Sequence, residues 1–477
     1  VTYSVAVIGG GVSGVTAAWE LRRQLGPEAS ITVLEAYDRL GGKLKTVDFA
    51  DGPVDMGAEA FLTRRTGLDE IIREVGLADR LRVPSGLPSG FFSDGRLVDA
   101  PAHTVMGIPA RGADVAGLVS TGTADRIDAE GGAPALDWTP GGDINVGDLV
   151  RDRYGDEAVQ RLVSPMLGGV YSSSADDLGL RATVPDLAQE FDALASAGDG
   201  VHLSTAVTRI LDRRAGAAQR QRATGAAPTP AFNALSTGYR DLIRRLATVS
   251  EADIRLNSQV EAVSRWQGGY WLEPFGQFDA VVVATPAPTA AVLLQDVAPQ
   301  AASRLDRIQL ASSAVVGMRF ATDDGLPRRS GVLLGSDAPT HAKAFTFSSR
   351  KWPHIAERGG AFVRASFGTL RDPGLLEADD ETLIGYAVED LATVTGATMH
   401  PVETFVQRWW GGLPSYGVGH RRLVDGVRDA VGRTPGIAVA GAVFDGVGVP
   451  ACAASGRAAA TKIIADLGNV AGNDNPR

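Results

Sequence analysis

The stretch "VAVIGGGVSGVTAAWEL", residues 5–21, decides the fold. Val5, Ala6, Val7 and Ile8 are a short apolar run of the kind that suits a strand buried on both faces. Gly9, Gly11 and Gly14 follow at the spacing G-x-G-x-x-G, and an Ala-rich helix opens directly behind them. Each glycine has its own task in such a turn. The first permits a tight reversal, the second admits a pyrophosphate to the backbone, and the third lets helix and strand pack closely. Gly10, Val12 and Ser13 complete the loop, and the helix N-terminus presents backbone N–H groups to a phosphate. The turn predicts a bound dinucleotide.

A second strand, "ITVLEA" at residues 31–36, carries Glu35 and Ala36 to a point about 20 residues past the last glycine, where the fingerprint places an acid. A carboxylate there accepts the ribose hydroxyls of an adenosine and repels a 2′-phosphate, so NADP is disfavoured. The following residues, "EAYDRLGGKLKT", separate FAD from NAD. Arg39, Gly41, Gly42 and Lys43 make a basic, glycine-rich stretch that an NAD enzyme does not need. In two-dinucleotide-binding flavoproteins such a stretch approaches the pyrophosphate from its other side. FAD is therefore the expected cofactor, with Gly42 and Lys43 among its contacts.

The bulk properties narrow the rest. A chain of 477 residues is long for one hydrophobic core, which predicts two or three domains. Net charge is −10, so a broad attraction to nucleic acid or to an anionic membrane is not expected, and an anionic substrate must meet a local basic pocket. The single cysteine, Cys452, excludes an intrachain disulfide and a cysteine-ligated cluster. The histidines are scattered without metal-ligand spacing, and no metal is expected. No apolar run approaches the roughly 18 residues of a membrane span and no leader precedes the first strand, so a cytoplasmic location is expected.

Along the chain, a Gly-containing loop leads into an amphipathic helix over about residues 67–75. "GFFSDGRLVDAP" alternates around Asp94 and Gly95 like a hairpin. Residues 110–200 read mostly as helices, broken at the Gly168 and Gly169 pair. Residues 211–231 are rich in Ala, Arg, Gly and Pro and read as a mobile surface loop. "FDAVVVATPA" is another buried strand; "SSAVVGMRF", "GVLLGS", "AKAFTFSS" and "AFVRASFG" suit a second sheet. "GIAVAGAVFDGVGVPACAASGRAAATKIIADL" closes the chain as strand, loop and helix. The fold class is α/β, a Rossmann-like two-dinucleotide-binding flavoprotein fold with a β-sheet substrate domain and a mainly helical domain. The domain reading gives FAD binding at 1–90, 232–300 and 411–477, a helical domain at 91–210, a low-complexity loop at 211–231 and a substrate-binding domain at 301–410.

Four motifs carry a closer resemblance: "DMGAEAFLTRR", "MGIP" from Met106, "RLVSPMLGGVYSSSADDLGLRA", and "RWWGGLPSYGVGH" with "GVGVPACAASG" after it. Over nearly its full length the chain resembles the bacterial porphyrinogen oxidases, FAD enzymes of haem synthesis. In outline it is similar to the flavin amine oxidases and phytoene desaturases. The resemblance implies FAD held by residues 9–14, Glu35 and Lys43, with Gly57, Ala58, Glu59 and Ala60 near the isoalloxazine ring. It further implies Val260 beside the adenine, and Trp409 with Val447, Gly448 and Val449 closing over the flavin.

It also implies the reaction. Each two-electron step passes a hydride from a bridging methylene of the porphyrinogen to the flavin while a pyrrole N–H gives up its proton, and three steps reach the aromatic porphyrin. The cofactor carries the hard chemistry, which accounts for the lack of a His, Cys or paired-carboxylate constellation. By resemblance the carbonyl of Gly169 faces the pyrrole nitrogens. Arg65, with Arg64 beside it, matches a basic position that meets a substrate carboxylate, and a guanidinium fork suits a propionate. Where the mitochondrial protoporphyrinogen oxidases place an arginine at the start of the hairpin, this chain has Ser89 and Gly90. Coproporphyrinogen III, with four propionates and greater solubility, is favoured over protoporphyrinogen IX. Oxygen is the expected acceptor, with hydrogen peroxide formed, and the reading leaves room for transient contact with other haem-synthesis enzymes. An amine oxidase-like enzyme and an FAD-stabilised tetrapyrrole-binding protein stay as alternatives, the first weakened because the final strand reads "AGAVFDG" where those enzymes carry "AGE".

Overall fold

Alternation along the first strand shows why residues 5–8 must be apolar throughout. In the computed structural model, which describes residues 3–64, 67–225 and 230–473, β1 (Ser4–Ile8) is the centre of a five-stranded parallel sheet. Val5 and Val7 pack with Ala17, Ala18 and Leu21, while Ala6 and Ile8 pack with Val281, Val283 and Leu294 on the other face. The helix α1 (Val12–Leu25) covers the first face. β1 pairs with β2 (Ser30–Leu34) on one side and with Ala280–Val283 on the other, all in parallel. Asp253–Arg255 and Ile437–Val439 form the edges.

The chain divides into two compact units. The first comprises Val1–Val83, Ala231–Gln309 and Arg422–Arg477, and contains the parallel sheet, a three-stranded meander over Ala262–Trp266, Gly269–Glu273 and Gly276–Phe278, and the long helix Val449–Asn473. The second comprises Pro84–Pro230 and Leu310–Arg421. Its seven-stranded sheet runs in the order Glu403–Pro414, Leu310–Phe320, Ala361–Phe367, Ala344–Thr346, Gly331–Leu334, Gly90–Ser93 and Arg96–Asp99. All neighbours are antiparallel except Gly331–Leu334 and Gly90–Ser93. The expected hairpin closes through Asp94 and Gly95, both at positive φ, as a two-residue turn of matching twist requires. Leu383, Ala387, Leu391 and Val394 of the helix Asp380–Thr395 pack on this sheet.

Two expectations change. Residues 211–223 are not loop but the second half of the helix Leu203–Ala223. Its first turns bury Leu203, Ala206, Val207 and Ile210. Beyond them Ala and Arg, both strong helix formers, extend the helix without an apolar face, and Arg213 and Arg214 pair with Glu190 and Asp186. The Gly168 and Gly169 pair does not break its helix either. Ser164–Tyr171 runs through both glycines, entered from a π-helical turn at Val159–Val163 and anchored by the fully buried Leu167. Tertiary burial outweighs the roughly 1 kcal/mol that each glycine costs a helix.

Two glycines make the packing testable. Gly456 lies where the Val449–Asn473 helix crosses α1, and a Cβ there would stand 2.1 Å from the carbonyl oxygen of Ser13. Gly385 is exposed inside Asp380–Thr395 with nothing within 4 Å of such a Cβ. Gly456→Ala is expected to cost about 1–3 kcal/mol by overpacking, and Gly385→Ala to add about 0.5–1 kcal/mol by lowering backbone entropy in the unfolded chain. Urea unfolding followed by fluorescence reads both. Midpoints that move in the same direction contradict the close crossing.

Candidate functional site

The site begins at the end of β1, where the chain reverses through Gly9 at φ +105°. A Cβ at Gly9 would sit 2.7 Å from the oxygen of Ala284, and one at Gly14 would sit 1.9 Å from the oxygen of Gly9. No side chain fits either place. Gly11 is different: its added Cβ would meet only the Cα of Gly42, at 3.9 Å. The backbone there faces open space at the start of α1, which has no capping side chain and no acid in its first turn. Uncapped N–H groups and the positive end of the helix dipole make this an anion site. Val12 and Ser13 form that first turn, both buried.

Glu35 is bound into the loop rather than merely placed beside it. Gly10 N donates to its Oε2 at 2.6 Å and Tyr37 N to its Oε1 at 2.9 Å, and the residue is 6% exposed. Each carboxylate oxygen keeps acceptor capacity for a ribose hydroxyl. Ala36 beside it is exposed. Arg39, expected with Lys43 on the pyrophosphate side, also has a structural task. Its guanidinium donates to the carbonyls of Leu40, Gly42 and Leu44 at 3.2, 2.7 and 3.0 Å, and so fixes the turn through Gly41 and Gly42. Gly41 N donates to Gly10 O at 2.8 Å, which brings this turn against the first glycine loop. Lys43 extends from it with its ammonium pKa lowered by desolvation and by the neighbouring Arg39 charge.

Gly57, Ala58, Glu59 and Ala60 form a loop between the strands Pro53–Asp55 and Phe61–Leu62, with Ala58 exposed. Behind it, Asp55 accepts from the hydroxyl of Thr46 at 2.5 Å and from Tyr239 N at 3.2 Å. The Tyr239 phenol is pushed well above its ordinary pKa by burial and by the charges of Asp55 and Glu59. Val260 is a core residue in contact with the cluster of Ile8 and Leu34. Val447 and the exposed Gly448 lead into the helix that opens at Val449, and Val449 shares an apolar cluster with Val12. The structure thus gathers the glycine loop, Glu35, the Gly42 turn and the Val449 helix start in one unit. Thr285 belongs with them and went unnoticed in the sequence: its Cγ2 lies 3.5 Å from where a Cβ on Gly9 would stand, and its Oγ1 is buried with no hydrogen-bond partner among the described residues. Its signal was local, two residues beyond a buried strand of the parallel sheet.

Other candidates lie in the second unit. Trp409 stands on Glu403–Pro414 opposite Ser313, beside an irregularity in the pairing between Ala311 and Ser313. Gly169 is exposed near the end of its helix, and its carbonyl accepts no hydrogen bond among the described residues. A Cβ on Gly169 would press to 3.3 Å from Leu333. Arg64, in the first unit, is exposed on the turn after Phe61–Leu62. Arg65 lies outside the described residues. No cluster of side chains able to hold a metal ion occurs among the described residues, and no helix of the described chain is long and apolar enough to cross a membrane. An open backbone cradle at Gly11, an acid held for a ribose and an unpartnered buried hydroxyl at Thr285 fit the pyrophosphate and adenosine of FAD.

Known proteins agree with this reading. The profile of the flavin containing amine oxidoreductases matches residues 12–464. A coproporphyrinogen III oxidase of Mycobacterium tuberculosis is 40% identical over 97% of this chain and 98% of its own length. A protein of the same name from Mycobacterium leprae is 42% identical over 95% of this chain and 97% of its own. Among solved structures, one from Exiguobacterium sp. 255-15, provisionally described as a protoporphyrinogen oxidase, superposes with a TM-score of 0.83 at 29% identity, covering 98% of this chain and 99% of that one. The match to the family profile and the near full-length relatives place the chain without ambiguity: it belongs to the flavin containing amine oxidoreductases, and its cofactor is FAD.

Proposed function

We propose that this chain oxidises coproporphyrinogen III to coproporphyrin III in three two-electron steps, with oxygen as the final acceptor and hydrogen peroxide as its product. The near full-length likeness to relatives of that name carries the reading. The nucleotide-binding role falls to the unit built on the parallel sheet, and the substrate-binding role to the unit of the seven-stranded sheet together with Arg64 and Arg65 of the first.

Bound FAD supplies a two-electron acceptor for the hydrogen of a bridging methylene and its bonding pair. The chain supplies position. The α1 N-terminus and Lys43 hold the pyrophosphate, Glu35 the ribose, and residues 57–60 with residues 447–449 border the isoalloxazine. The uncommitted carbonyl of Gly169 orients a pyrrole N–H, and Arg65, with Arg64 beside it, holds propionates. Aromatisation of the final product drives the sequence of three steps toward completion, so the pocket needs orientation and exclusion of water more than strong acids or bases. Protoporphyrinogen IX is the second reading, supported by the description of the Exiguobacterium structure. Anaerobic mixing of the purified protein with each porphyrinogen, while the flavin spectrum is followed, decides between them. Faster flavin reduction by protoporphyrinogen IX overturns the choice of substrate.

Glu35→Ala removes an acceptor from the ribose and from Gly10 N together. It is expected to weaken FAD by about 1.5–3 kcal/mol, or roughly 10- to 150-fold in Kd, with the preference between porphyrinogens unchanged. Equilibrium dialysis of the flavin measures this, and an unaltered affinity returns Glu35 to a purely structural role.

Arg65→Ala is expected to raise KM for coproporphyrinogen III with bound FAD unchanged, and to lower kcat/KM by about five- to 150-fold. Arg65→Lys recovers part of the loss, since a point charge replaces a bidentate fork. The preference for the four-propionate substrate shrinks in Arg65→Ala if this arginine meets a carboxylate that only that substrate presents. Equal kinetics for wild type and variant on both porphyrinogens remove Arg65 from the site.

A further inference from the structure

Each oxidation step of a porphyrinogen releases a proton from a pyrrole nitrogen besides the hydrogen that leaves a methylene carbon with its bonding pair. A backbone carbonyl such as that of Gly169 can orient the N–H, but an amide oxygen is too weak a base to keep the proton. A titratable acceptor is needed. The carboxylates just after the Gly169 helix are committed: Asp177 pairs with Arg371 and accepts from Ser174, and Asp176 pairs with Arg151 at 2.8 Å. Asp390, on Asp380–Thr395, accepts from the backbone N–H groups of His341 and Ala342 at 2.9 and 2.7 Å.

One uncommitted base stands at the end of that helix. Lys343 Nζ lies 2.7 Å from the Oγ of Ser172 and 2.7 Å from the carbonyl oxygen of Gly368. Ser172 is the left-handed residue, φ 50°, that terminates Ser164–Tyr171, three residues beyond Gly169. It is fixed at three atoms: its N donates to Gly168 O at 3.1 Å, its O accepts from Leu370 N at 2.9 Å, and its Oγ meets Lys343. Among the described residues no carboxylate pairs with Lys343. Burial alone lowers its ammonium pKa, to about 7, and Arg364, on the neighbouring Ala361–Phe367 strand, adds nothing to that shift. Amine and ammonium forms are therefore both populated at neutral pH.

We propose that Ser172 and Lys343 form the relay that carries the pyrrole proton away from the Gly169 turn. The inference rests on the functional reading above. In each step a pyrrole N–H bond breaks and its electron pair stays on the ring, completing a C=N bond as a methylene carbon loses its hydrogen and bonding pair to the flavin. Over three steps the remaining methylene passes one proton to a ring nitrogen by tautomerisation, so that the porphyrin keeps two N–H groups and four methine bridges. Ser172 Oγ takes the proton and passes its own to the lone pair of Lys343 Nζ, which becomes an ammonium donating back to Ser172. Lys343 then releases the proton to solvent before the next step, which a pKa close to ambient pH makes rapid. Only the neutral amine can accept, so turnover falls as pH drops through the Lys343 pKa.

The test uses the FAD-loaded enzyme under anaerobic single-turnover conditions with coproporphyrinogen III, from pH 5.5 to 9. The rate of flavin reduction in the wild type is expected to rise through about pH 7 and level off. Lys343→Met should lower the plateau about 100-fold, in the range that general-base groups contribute, and abolish the acidic limb. Lys343→Arg keeps donors for Ser172 and Gly368 but cannot deprotonate. It should be as slow as Lys343→Met, whereas full rescue by arginine would show a positioning role and overturn the relay. Ser172→Ala, which leaves the lysine in place, covers the case in which Lys343 variants fail to fold; a wild-type rate and profile in Ser172→Ala also overturns it. The double variant should be no slower than either single one, since both groups act in one chain of transfers.

A readout without turnover is available because the chain has only five lysines, Lys43, Lys45, Lys343, Lys351 and Lys462. Protein labelled with 13C at the lysine ε carbon should show one resonance, absent from Lys343→Met, titrating near pH 7. Titration of that resonance near the ordinary lysine value of about 10.4 overturns the proposal. Failure of the functional reading looks different: neither porphyrinogen then reduces the flavin of the wild type at any pH.

Discussion

Backbone must touch backbone where the first strand of this protein hands over to its first helix. The carbonyl of Gly9 occupies the place where a side chain on residue 14 would start, and the carbonyl of Ala284 occupies the place where one on residue 9 would start. That closeness draws β1, α1 and Ala280–Val283 together tightly enough for a two-faced core, and it leaves the helix N-terminus bare for a phosphate. Glu35 then locks the loop through Gly10, and Arg39 locks the adjoining turn through three carbonyls. The cofactor cradle is therefore rigid before any ligand arrives, and its binding energy need not order a loop.

Those features were legible in the sequence because they are local. Strand, glycines, helix and acid lie within the first 35 residues, and each has a steric or electrostatic reason to stand where it does. The same holds for the Asp94 and Gly95 hairpin and for the closing strand, loop and helix. Regions governed by distant partners were less legible. The polar second half of Leu203–Ala223 carries no amphipathic signal, and its helical state follows from propensity and from pairing with Glu190 and Asp186. The Gly168 and Gly169 pair stays helical because Leu167 is buried beside it, which no local pattern reports.

Side-chain roles divide in the same way. The fingerprint singled out Glu35 and Gly11, and the structure gives both a geometry that suits their tasks. Arg39 has the right charge for a phosphate and also binds carbonyl groups a few residues away, a second task that composition does not reveal. Lys343 and Ser172 are 171 positions apart. Their contact arises only when the chain just ahead of the strand Ala344–Thr346 meets the end of a helix, which no local pattern reports.

The division of the chain has a consequence for its biosynthesis. The first unit is assembled from three separated segments and the second from two, so the polypeptide passes between them four times. On the ribosome, β1 and β2 emerge at once, but Ala280–Val283 comes after some 250 further residues and the edge strand Ile437–Val439 after some 150 more, at about 5–20 residues per second. For tens of seconds the nascent parallel sheet has an open edge, and α1 lacks the Val449–Asn473 helix that covers it. Parallel pairing of high sequence separation is slow to form in any case. A protein with this thread therefore leaves its early strands unpaired through much of translation, and its flavin can stabilise the complete first unit only after the third segment of that unit has emerged.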